Sequence, residues 1–348
     1  MRLGAHSMDT TLVLNSADIR AVLDLGDCTR AVESVLALRA RGRAPAPALL
    51  GVHVEGGGFH VKAAAADLGR PYFAAKTNGN FPDNPARRGL PTIQGVIVLC
   101  DASDGRVLAL LDSSEITTLR TGAATAAAAR HLARPDSSVV TIVGCGVQGR
   151  VQLRALAKVL PLGRVFAFDR DEEAARRFTE EMGAATGLQI TPAERLGQAT
   201  LESDVCVTCT PSRQPLLGPQ QVRPGTFVAG VGADHPAKLE LHPELLRRAT
   251  VVVDALEQCL EIGDLHHAVE AGFMRPEDVH AELGEIAAGL KPGRSSSEEV
   301  IVFDSTGTAL EDVAAAVLVY ERCVALGRGE PVMLADPSPA RAAPRGSA

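Results

Sequence analysis

The sequence predicts an α/β protein that combines a doubly wound parallel sheet with a separate α+β region. Three observations support this prediction. After residue 139, short apolar runs alternate with helical stretches, which is the pattern of βαβ units. The first of these runs leads directly into a glycine-rich turn. Before residue 112, strand-like runs follow one another with only turns between them, which is typical of an antiparallel sheet.

Length and composition fit two such regions and exclude some functions. The chain has 348 residues, and domains contain roughly 150 residues each, so two domains are expected. Aromatic residues make up only 3% of the chain, and the formal net charge is −7. Proteins that bind single-stranded nucleic acid stack the bases on aromatic side chains along a basic groove. The composition therefore predicts no nucleic-acid binding and a ligand held by charged groups and backbone.

The sequence also lacks the signals of membrane insertion and export. It contains no run of about 18 apolar residues, and its first residues contain no apolar core of a signal peptide. The seven cysteines are dispersed and odd in number, which is typical of free thiols in a reducing compartment. We therefore expect a cytoplasmic protein that does not contact a membrane.

The first third of the chain predicts two helices followed by five strands. Residues 12–42 contain the helices, at Asp18–Asp24 and Thr29–Arg41. The strand-like runs span residues 51–55, 59–63, 72–76, 93–99 and 107–111. Two glycine-containing segments predict hairpin turns, Gly56–Gly58 and Asp104-Gly105.

A long helix is predicted next, from Asp112 to about Ala133. Asp112 is a suitable N-cap, and Glu115 completes the pattern of a capping box. The helix is rich in alanine, whose small side chain permits close packing, so we expect it to be central. The later strands are predicted at residues 139–143, 164–168, 204–208, 226–231, 250–253 and 300–303, and the last helix at 311–326. The proline-rich tail, residues 335–348, is predicted to be disordered.

A dinucleotide site is predicted where the strand at 139–143 ends. The turn that follows has the spacing of the Rossmann fingerprint and reads Gly144-Cys145-Gly146-Val147-Gln148-Gly149. Gly144 allows the tight turn, Gly146 lets the backbone approach a pyrophosphate, and Gly149 allows close packing of helix on strand. The N-terminus of the following helix attracts the anion. The parallel sheet is therefore predicted to be of the Rossmann type.

An acidic residue in the expected place indicates which dinucleotide binds. Asp169 ends the next apolar run, 164–168, twenty residues after Gly149. A carboxylate there accepts hydrogen bonds from the adenosine ribose hydroxyls, which favours NAD. Arg170 follows directly and could accommodate a 2′-phosphate, so NADP stays an alternative.

Three cationic residues stand out in the α+β region. Lys62 and Lys76 lie in or at the end of strand-like runs, and Arg120 lies in the alanine-rich helix. A cation among small, buried residues needs an anionic partner. That partner could be a substrate carboxylate or a structural Asp or Glu, and the residues alone leave both readings open.

Several segments together resemble the ornithine cyclodeaminase/μ-crystallin family over about residues 12–328. Besides the glycine fingerprint, they are Lys76–Pro82, Gly89–Thr92, Leu119–Ala123, Val231–Asp234 and Phe303–Gly307. The resemblance implies a homodimer joined through its substrate domains. It also implies an NAD-binding domain inserted between the N-terminal part and the last helix. The expected division is 12–126 with 311–330 for substrate binding and dimerisation, and 127–310 for the cofactor.

The resemblance also implies roles for particular residues. Lys76 and Arg120 match the family's carboxylate-binding Lys and Arg, and Asp234 matches its acid/base Asp. Asp234 follows the strand at 226–231, so it is expected at the carboxyl edge of the sheet, where ligands bind in open α/β folds. Lys76 and Asp234 are the predicted catalytic residues. Outside the fingerprint, Asp169 and Arg170, the expected cofactor contacts are Thr92, Thr121, Thr210 and Val231.

Two departures from the family's pattern bear on the substrate. The family's other carboxylate-binding Arg follows a pair of prolines, but residues 43–49 contain no Arg after the prolines. Ornithine cyclodeaminases carry a Glu in the strand before the catalytic Lys, and residues 59–63 contain none. We hypothesise that Lys62 supplies the missing cation, and we expect a substrate other than ornithine.

The sequence thus favours an NAD-dependent amino-acid dehydrogenase or imine reductase that transfers hydride at the α-carbon of a small amino or imino acid. One alternative is a cyclodeaminase of the ornithine or lysine type, which releases ammonia. Another is a non-catalytic, crystallin-like protein that only binds the dinucleotide. The presence of Lys76, Arg120 and Asp234 argues against the second alternative.

Two further patterns are not interpreted as functional sites. Cys206 and Cys209 have metal or redox spacing, but residues three apart in a strand point to opposite faces. His266 and His267 are expected in a solvated loop. No metal site is predicted.

Overall fold

The computed structural model describes residues 10–334, and the predicted disordered tail lies outside them. In chain order, the first half contains β1 (Thr11–Leu14), α1 (Ser16–Val22), α2 (Leu25–Ala40), β2 (Ala48–Val54), β3 (Gly57–Asp67), β4 (Pro71–Asn80), α3 (Asn84–Arg88), β5 (Ile93–Asp101), β6 (Val107–Asp112), α4 (Ser113–Leu132), β7 (Val139–Val143), α5 (Val147–Leu156) and β8 (Arg164–Phe168).

The second half adds nine strands and seven helices. They are α6 (Glu172–Thr186), β9 (Gln189–Pro192), α7 (Leu196–Glu202), β10 (Val205–Thr208), β11 (Arg213–Leu217), β12 (Phe227–Val231), β13 (Leu239–Leu241), α8 (Pro243–Arg248), β14 (Thr250–Val253), α9 (Leu256–Ile262), α10 (Asp264–Glu270), β15 (Ala281–Glu282), α11 (Leu283–Ala287), β16 (Ile301–Ser305), α12 (Ala309–Leu326) and β17 (Glu330–Val332).

The N-terminal strands form a seven-stranded sheet in the order β17-β1-β6-β5-β4-β3-β2. Neighbouring strands are antiparallel except β1 and β6, which are parallel, so the sheet is mixed rather than purely antiparallel. Helices α4 and α12 pack against this sheet, and α2 packs against both helices. The last helix therefore returns to the sheet that the first strands build.

The later strands form the predicted parallel sheet, in the order β15-β14-β16-β12-β10-β7-β8-β9. The order reverses between β7 and β10, and such a switch point opens a crevice at the carboxyl ends of the strands. The glycine turn follows β7 and therefore lies in this crevice. The six predicted strands are confirmed, and β7, β8 and β14 match their predicted bounds residue for residue.

The structure corrects several element predictions in the first third. Residues 12–14 belong to strand β1 rather than to a helix, because they pair with β6 in the interior of the sheet. The two helices, α1 and α2, begin at Ser16 and Leu25, two and four residues before the predicted starts at Asp18 and Thr29. Strands β3 and β4 are about twice as long as predicted, since both continue beyond the predicted runs as a regular antiparallel pair.

Helix α4 joins the two sheets. Asp112 caps it as predicted, because its carboxylate accepts hydrogen bonds from the backbone N–H groups of Ser114 and Glu115. A Cβ at Gly122 would lie 3.0 Å from the side chain of Val151 on α5, so the absence of a side chain there permits close packing. The predicted domain boundary between residues 126 and 127 falls inside this helix.

Among residues 10–334, no helix combines the length and the apolar character needed to cross a membrane.

Candidate active site

The glycine turn after β7 has the geometry of a phosphate-binding loop. Gly144 has φ +102°, and a Cβ there would lie 2.9 Å from the carbonyl oxygen of Cys209. A Cβ at Gly149 would lie 2.1 Å from the Gly144 carbonyl oxygen, so the helix can approach the strand only without a side chain. A Cβ at Gly146 would meet nothing within 4 Å, so the backbone there faces open space.

That open space belongs to a cavity of about 270 Å³ at the carboxyl ends of β7, β8 and β10. Its lining includes Gly144, Gly146, Asp169, Arg170 and Thr210. Gly146 is the N-cap of α5 and offers no side chain to bind the free N–H groups of the first turn. Unpaired N–H groups and the helix dipole favour an anion, so these residues fit the pyrophosphate of a dinucleotide.

The carboxylate of Asp169 holds the glycine turn. One of its oxygens accepts a hydrogen bond from the backbone N–H of Cys145 (2.8 Å) and the other from Asp171 (3.1 Å). Each carboxylate oxygen has a second lone pair for a further donor. Asp169 therefore positions the turn and still has acceptor capacity toward the cavity.

Three further residues that were predicted to contact the cofactor lie in different environments: Thr210, Val231 and Val147. The Thr210 backbone N–H and hydroxyl both donate to Glu240 Oε1 at 2.7 Å, so the hydroxyl of Thr210 is already engaged. Val231 is buried, and its carbonyl accepts a hydrogen bond from the Lys238 ammonium. Val147 is exposed at the start of α5.

Like Val147 and Val231, the predicted cofactor residues Gln148, Thr121 and Thr92 do not line this first cavity. Gln148 and Thr121 line a second, adjoining cavity instead. Thr92 lies in the segment before β5, where its carbonyl accepts a hydrogen bond from the Phe81 N–H (2.8 Å). Its neighbour Ile93 lines the second cavity, whereas Thr92 is absent from the described lining of both.

The second cavity has a volume of about 130 Å³ and brings together the predicted substrate residues. It is lined by His60, Lys62, Lys76, Asn78, Asn80, Ile93, Thr117, Arg120, Thr121, Gln148, Gly232, Asp234 and Thr306. Strands β3 and β4 form one wall, because alternate residues of a strand share a face. In this wall Lys62 lies opposite Lys76, and His60 lies opposite Asn78.

The two cations Lys76 and Arg120 are paired with buried acids of helix α12. Lys76 Nζ lies 2.8 Å from Asp312 Oδ1, and Arg120 Nη1 lies 2.8 Å from Glu311 Oε2. The structural partners that the sequence left open are therefore present. Arg120 Nε also lies 3.2 Å from Asp312 Oδ1. These acids still do not use all the donors, since an ammonium has three N–H groups and a guanidinium five.

Lys62 is held by backbone rather than by an acid. Its ammonium donates to the carbonyls of Thr306 (3.1 Å) and Gly307 (2.7 Å). The Asp254 carboxylate fixes this segment from behind by accepting hydrogen bonds from the Thr306 hydroxyl and the Gly307 N–H. The third N–H of Lys62 has no such partner and can reach a ligand in the cavity.

Burial sets the charge of these cations. Burial lowers the pKa of Lys76 to about 7, although Asp312 opposes the change. Burial and the nearby Arg120 also lower the pKa of Lys62. Burial opposes the charged form of Arg120 as well, but Asp312 and Glu311 raise its pKa above the ordinary value. The cavity therefore contains one permanent cation and two lysines whose charge an anionic ligand would stabilise.

Asp234 enters the cavity from the loop after β12. Gly232, with φ +77°, turns the chain out of the strand, and its N–H is held by the Ser305 carbonyl (2.8 Å). Asp234 Oδ2 accepts a hydrogen bond from Asn80 Nδ2 (2.8 Å) at the end of β4. The candidate acid/base thus follows a strand of the parallel sheet and is held by a strand of the N-terminal sheet.

The sequence matches one family along nearly its whole length. The model of the ornithine cyclodeaminase/mu-crystallin family matches residues 9–327. The chain belongs to this family. The resemblance that the motifs indicated is confirmed.

One curated relative and two solved structures are similar to this chain over most of its length. The alanine dehydrogenase of Archaeoglobus fulgidus is 40% identical over 325 residues, which cover 92% of this chain and 98% of that protein. The structure of an archaeal alanine dehydrogenase dimer with bound NAD has a TM-score of 0.89 and 38% identity, covering 93% of this chain and 99% of its own. The Δ1-pyrroline-2-carboxylate reductase of Thermococcus litoralis, solved with NADH and L-proline, has a TM-score of 0.88 and 32% identity, covering 92% and 100%.

Sequence reasoning missed several residues of this family member's site. Glu311 and Asp312 were assigned no role, although two adjacent acids on an apolar helix are a signal of buried cations elsewhere. Asp254 holds the segment 306–307 in place, and no pattern in the sequence around residue 254 indicates this role. His60 and Asn80 line the cavity, and their alternation with Lys62 and Lys76 along β3 and β4 could have identified them.

The two discounted patterns differ in outcome. Cys206 and Cys209 are free thiols, and burial raises the pKa of Cys206 to about 12. His266 and His267 lie on helix α10, so the prediction of a loop is wrong. Their rings bind the carbonyls of Leu260 and Lys238, which helps to fix the helix there. One nitrogen of each ring and a Glu270 oxygen lie within 4.8 Å of one another.

Proposed function

We propose that this protein is an NAD-dependent oxidoreductase that interconverts a small α-amino acid and its α-imino acid. One observation carries the proposal. Lys62, Lys76, Arg120 and Asp234 line a single small cavity, and Gln148 of the glycine turn lines it too. The cations that can bind a carboxylate, a proton acceptor and the dinucleotide-binding turn therefore meet at one place.

The three cations would hold the substrate carboxylate. Within residues 10–334, each retains at least one N–H that no protein acceptor uses, and the Arg120 guanidinium can bind a carboxylate through two parallel hydrogen bonds. A carboxylate fixed at this end of the cavity places the α-carbon and its nitrogen toward Asp234. Such fixed orientation contributes strongly to catalysis, because it removes the need to align the reactants at each encounter.

Asp234 is suited to act as the acid/base. A carboxylate can take a proton from the substrate nitrogen when an amino acid is oxidised, and return it when an imine is reduced. The negative charge also stabilises the cationic iminium. NAD, when bound, accepts or supplies the hydride at the α-carbon, and the protein residues only orient and protonate.

NAD is the proposed cofactor, with NADP as the alternative. The Asp169 carboxylate lines the first cavity and favours the hydroxyls of an unmodified ribose. A 2′-phosphate would meet this negative charge, and Arg170 is the adjacent residue that could compensate for it. The balance of these two side chains decides the preference.

The charges of the second cavity favour a dehydrogenase or imine reductase over an ornithine or lysine cyclodeaminase. A diamino acid brings a second cationic amine. Among the described residues that line the cavity, Asp234 is the only acid, and Lys62 and Lys76 would repel that amine. The small volume of the second cavity, about 130 Å³, also favours a small amino or imino acid over a longer diamino acid.

We propose a homodimer joined through the N-terminal sheet, with the chain divided at 126/127 and 310/311. Edge strand β2 exposes apolar side chains, among them Leu50 (58% exposed) and Val52 (48%), and exposed apolar strands usually mark an interface. The related archaeal alanine dehydrogenase is a dimer. We also propose a cytoplasmic location, which the seven free cysteines support.

A substrate panel tests the function. Purified protein with NAD is given L-alanine, L-proline, L-ornithine and L-lysine, and the reverse reaction is run with NADH and the corresponding cyclic imine or pyruvate plus ammonium. A net change in NADH absorbance is expected. Ammonia release without net NADH would instead show a cyclodeaminase. Tight NAD binding without any turnover would show a crystallin-like binder.

A further inference from the structure

The two polar atoms of the Asn80 side-chain amide, Nδ2 and Oδ1, differ in their hydrogen bonding. Its Nδ2 donates to Asp234 Oδ2 at 2.8 Å, whereas its Oδ1 is buried and has no hydrogen-bond partner among the residues that the structure describes. We propose that Asn80 binds the substrate nitrogen through Oδ1 while it orients Asp234 through Nδ2. This inference rests on the proposed function and names a further residue of the same site.

The orientation of the amide follows from its partner. A carboxylate only accepts hydrogen bonds, so the NH₂ group of Asn80 must face Asp234. The carbonyl oxygen then points away from Asp234. A buried acceptor without a donor is unfavourable, and such atoms are rare in folded proteins. At the wall of a ligand cavity, the missing donor is most simply a group of the ligand.

The position of Asn80 fits the nitrogen of the substrate. Asn80 and Lys76 are four residues apart on β4, so their side chains share the face that lines the cavity. The cations bind the carboxylate at one end, and Asn80 lies at the other end beside the acid/base. In a cavity of about 130 Å³, a small amino acid spans both ends.

The chemistry of an amide oxygen suits this nitrogen. The ammonium or iminium nitrogen offers only N–H donors, and an amide oxygen remains an acceptor at every working pH. It can therefore hold the nitrogen without competing for the proton that Asp234 takes. Asn80 itself forms and breaks no covalent bond.

Matched ligands test the nitrogen contact separately from turnover. The dissociation constants of L-alanine and propionate, and of L-proline and cyclopentanecarboxylate, are measured by calorimetry on NADH-loaded protein, in which the amino acids have no hydride acceptor and cannot turn over. Within each pair the carbon frame is kept and only the nitrogen is lost. In Asn80→Ala, binding of the amino acids should weaken about 10-fold or more, as expected for a hydrogen bond to a charged group. The two carboxylates should bind within about 2-fold of wild type.

A second variant tests the contact to Asp234. Asn80→Asp keeps an acceptor but loses the donor and places a second carboxylate beside Asp234. The acidic limb of the kcat/KM profile should then move to higher pH, because like charges favour protonation. Asn80→Ser, which restores a small acceptor, should recover part of the amino-acid affinity.

The outcomes separate the two proposals. Equal weakening of amino acids and carboxylates, or no weakening of either, would overturn the role of Asn80 even if wild-type turnover is present. An unchanged pH profile in Asn80→Asp would remove its link to Asp234. Absence of turnover in the wild type, with amino-acid binding still dependent on Asn80, would overturn only the proposed function. Thermal unfolding midpoints confirm that each variant is folded.

Discussion

Lys62 and Lys76 lie directly opposite each other on strands β3 and β4, and both are almost completely buried. Like charges in opposed positions of an antiparallel pair destabilise a sheet. The fold tolerates the pair because Asp312 faces Lys76 and two backbone carbonyls face Lys62. A bound carboxylate would relieve the remaining repulsion, so the arrangement favours an anionic ligand.

Lys62 should contribute mainly to substrate binding. Lys62→Ala removes a cation of the carboxylate site, so KM for the substrate should rise about 10- to 100-fold, the loss expected for one charge-assisted hydrogen bond, with a smaller change in kcat. Steady-state kinetics check this, and the exposed Lys158 provides a matched control in Lys158→Ala. An unchanged KM in Lys62→Ala would dismiss Lys62 as the replacement for the family's second Arg.

Asp234 should be needed for turnover but not for cofactor binding. Asp234→Asn keeps the shape of the side chain and cannot take a proton, so kcat should fall by about 10²- to 10⁴-fold. NAD affinity, measured by titration calorimetry, should stay at the wild-type value because Asp234 lies in the second cavity. Turnover within a few-fold of wild type would remove Asp234 from the catalytic role.

Binding of a carboxylate should weaken as the pH rises through about 7. Burial lowers the pKa of Lys76 to about 7, so above that pH the free enzyme loses a positive charge from the site. Propionate has no amine that titrates in this range. Its inhibition constant should increase between pH 6 and pH 9, an interval of roughly three pH units that includes the pKa of Lys76.

The matched variant for this prediction is Lys76→Arg. A guanidinium stays protonated throughout the range. The inhibition constant of propionate for this variant should therefore be nearly independent of pH, even if propionate binds the variant more weakly than the wild type. An inhibition constant that is flat with pH in the wild type would show that another group controls the charge of the site.

The choice between NAD and NADP should depend on Asp169. Asp169→Ser removes the carboxylate that a 2′-phosphate would meet, so the ratio of kcat/KM with NAD to kcat/KM with NADP should fall about 10-fold or more. Arg170→Ala should change this ratio in the opposite direction. A ratio that does not respond to either substitution would place the ribose of the dinucleotide elsewhere.

The features that sequence predicted well are those whose signal lies within a few residues. The glycine turn, the strands that flank it and the cap at Asp112 each depend on neighbouring positions, and the structure reproduces them. Strand β1 was missed because four residues are too few to show a period of two. Thr92 was expected near the cofactor from the resemblance alone, and the loop geometry places it outside both described cavities.

The contacts that complete the candidate site could not be predicted because they join distant parts of the chain. Arg120 and its partner Glu311 are 191 positions apart. No periodicity relates α4 to α12, and only the folded arrangement shows which acid faces which cation. Asn80, at the end of β4, and Asp234, in the loop after β12, are likewise 154 positions apart. The sequence could indicate that Arg120 needs an anion, but not which one.

The return of helix α12 to the first sheet has a consequence for how the chain acquires its structure during synthesis. When the ribosome has translated residues 1–310, the strands that carry Lys62 and Lys76 and the helix that carries Arg120 already exist. The acids that neutralise them, Glu311 and Asp312, do not. Burying unpaired cations is strongly unfavourable, so the first region cannot close before residues 311 and 312 have been translated. The N-terminal region therefore becomes native only after helix α12 has been made, although N-terminal domains generally fold first.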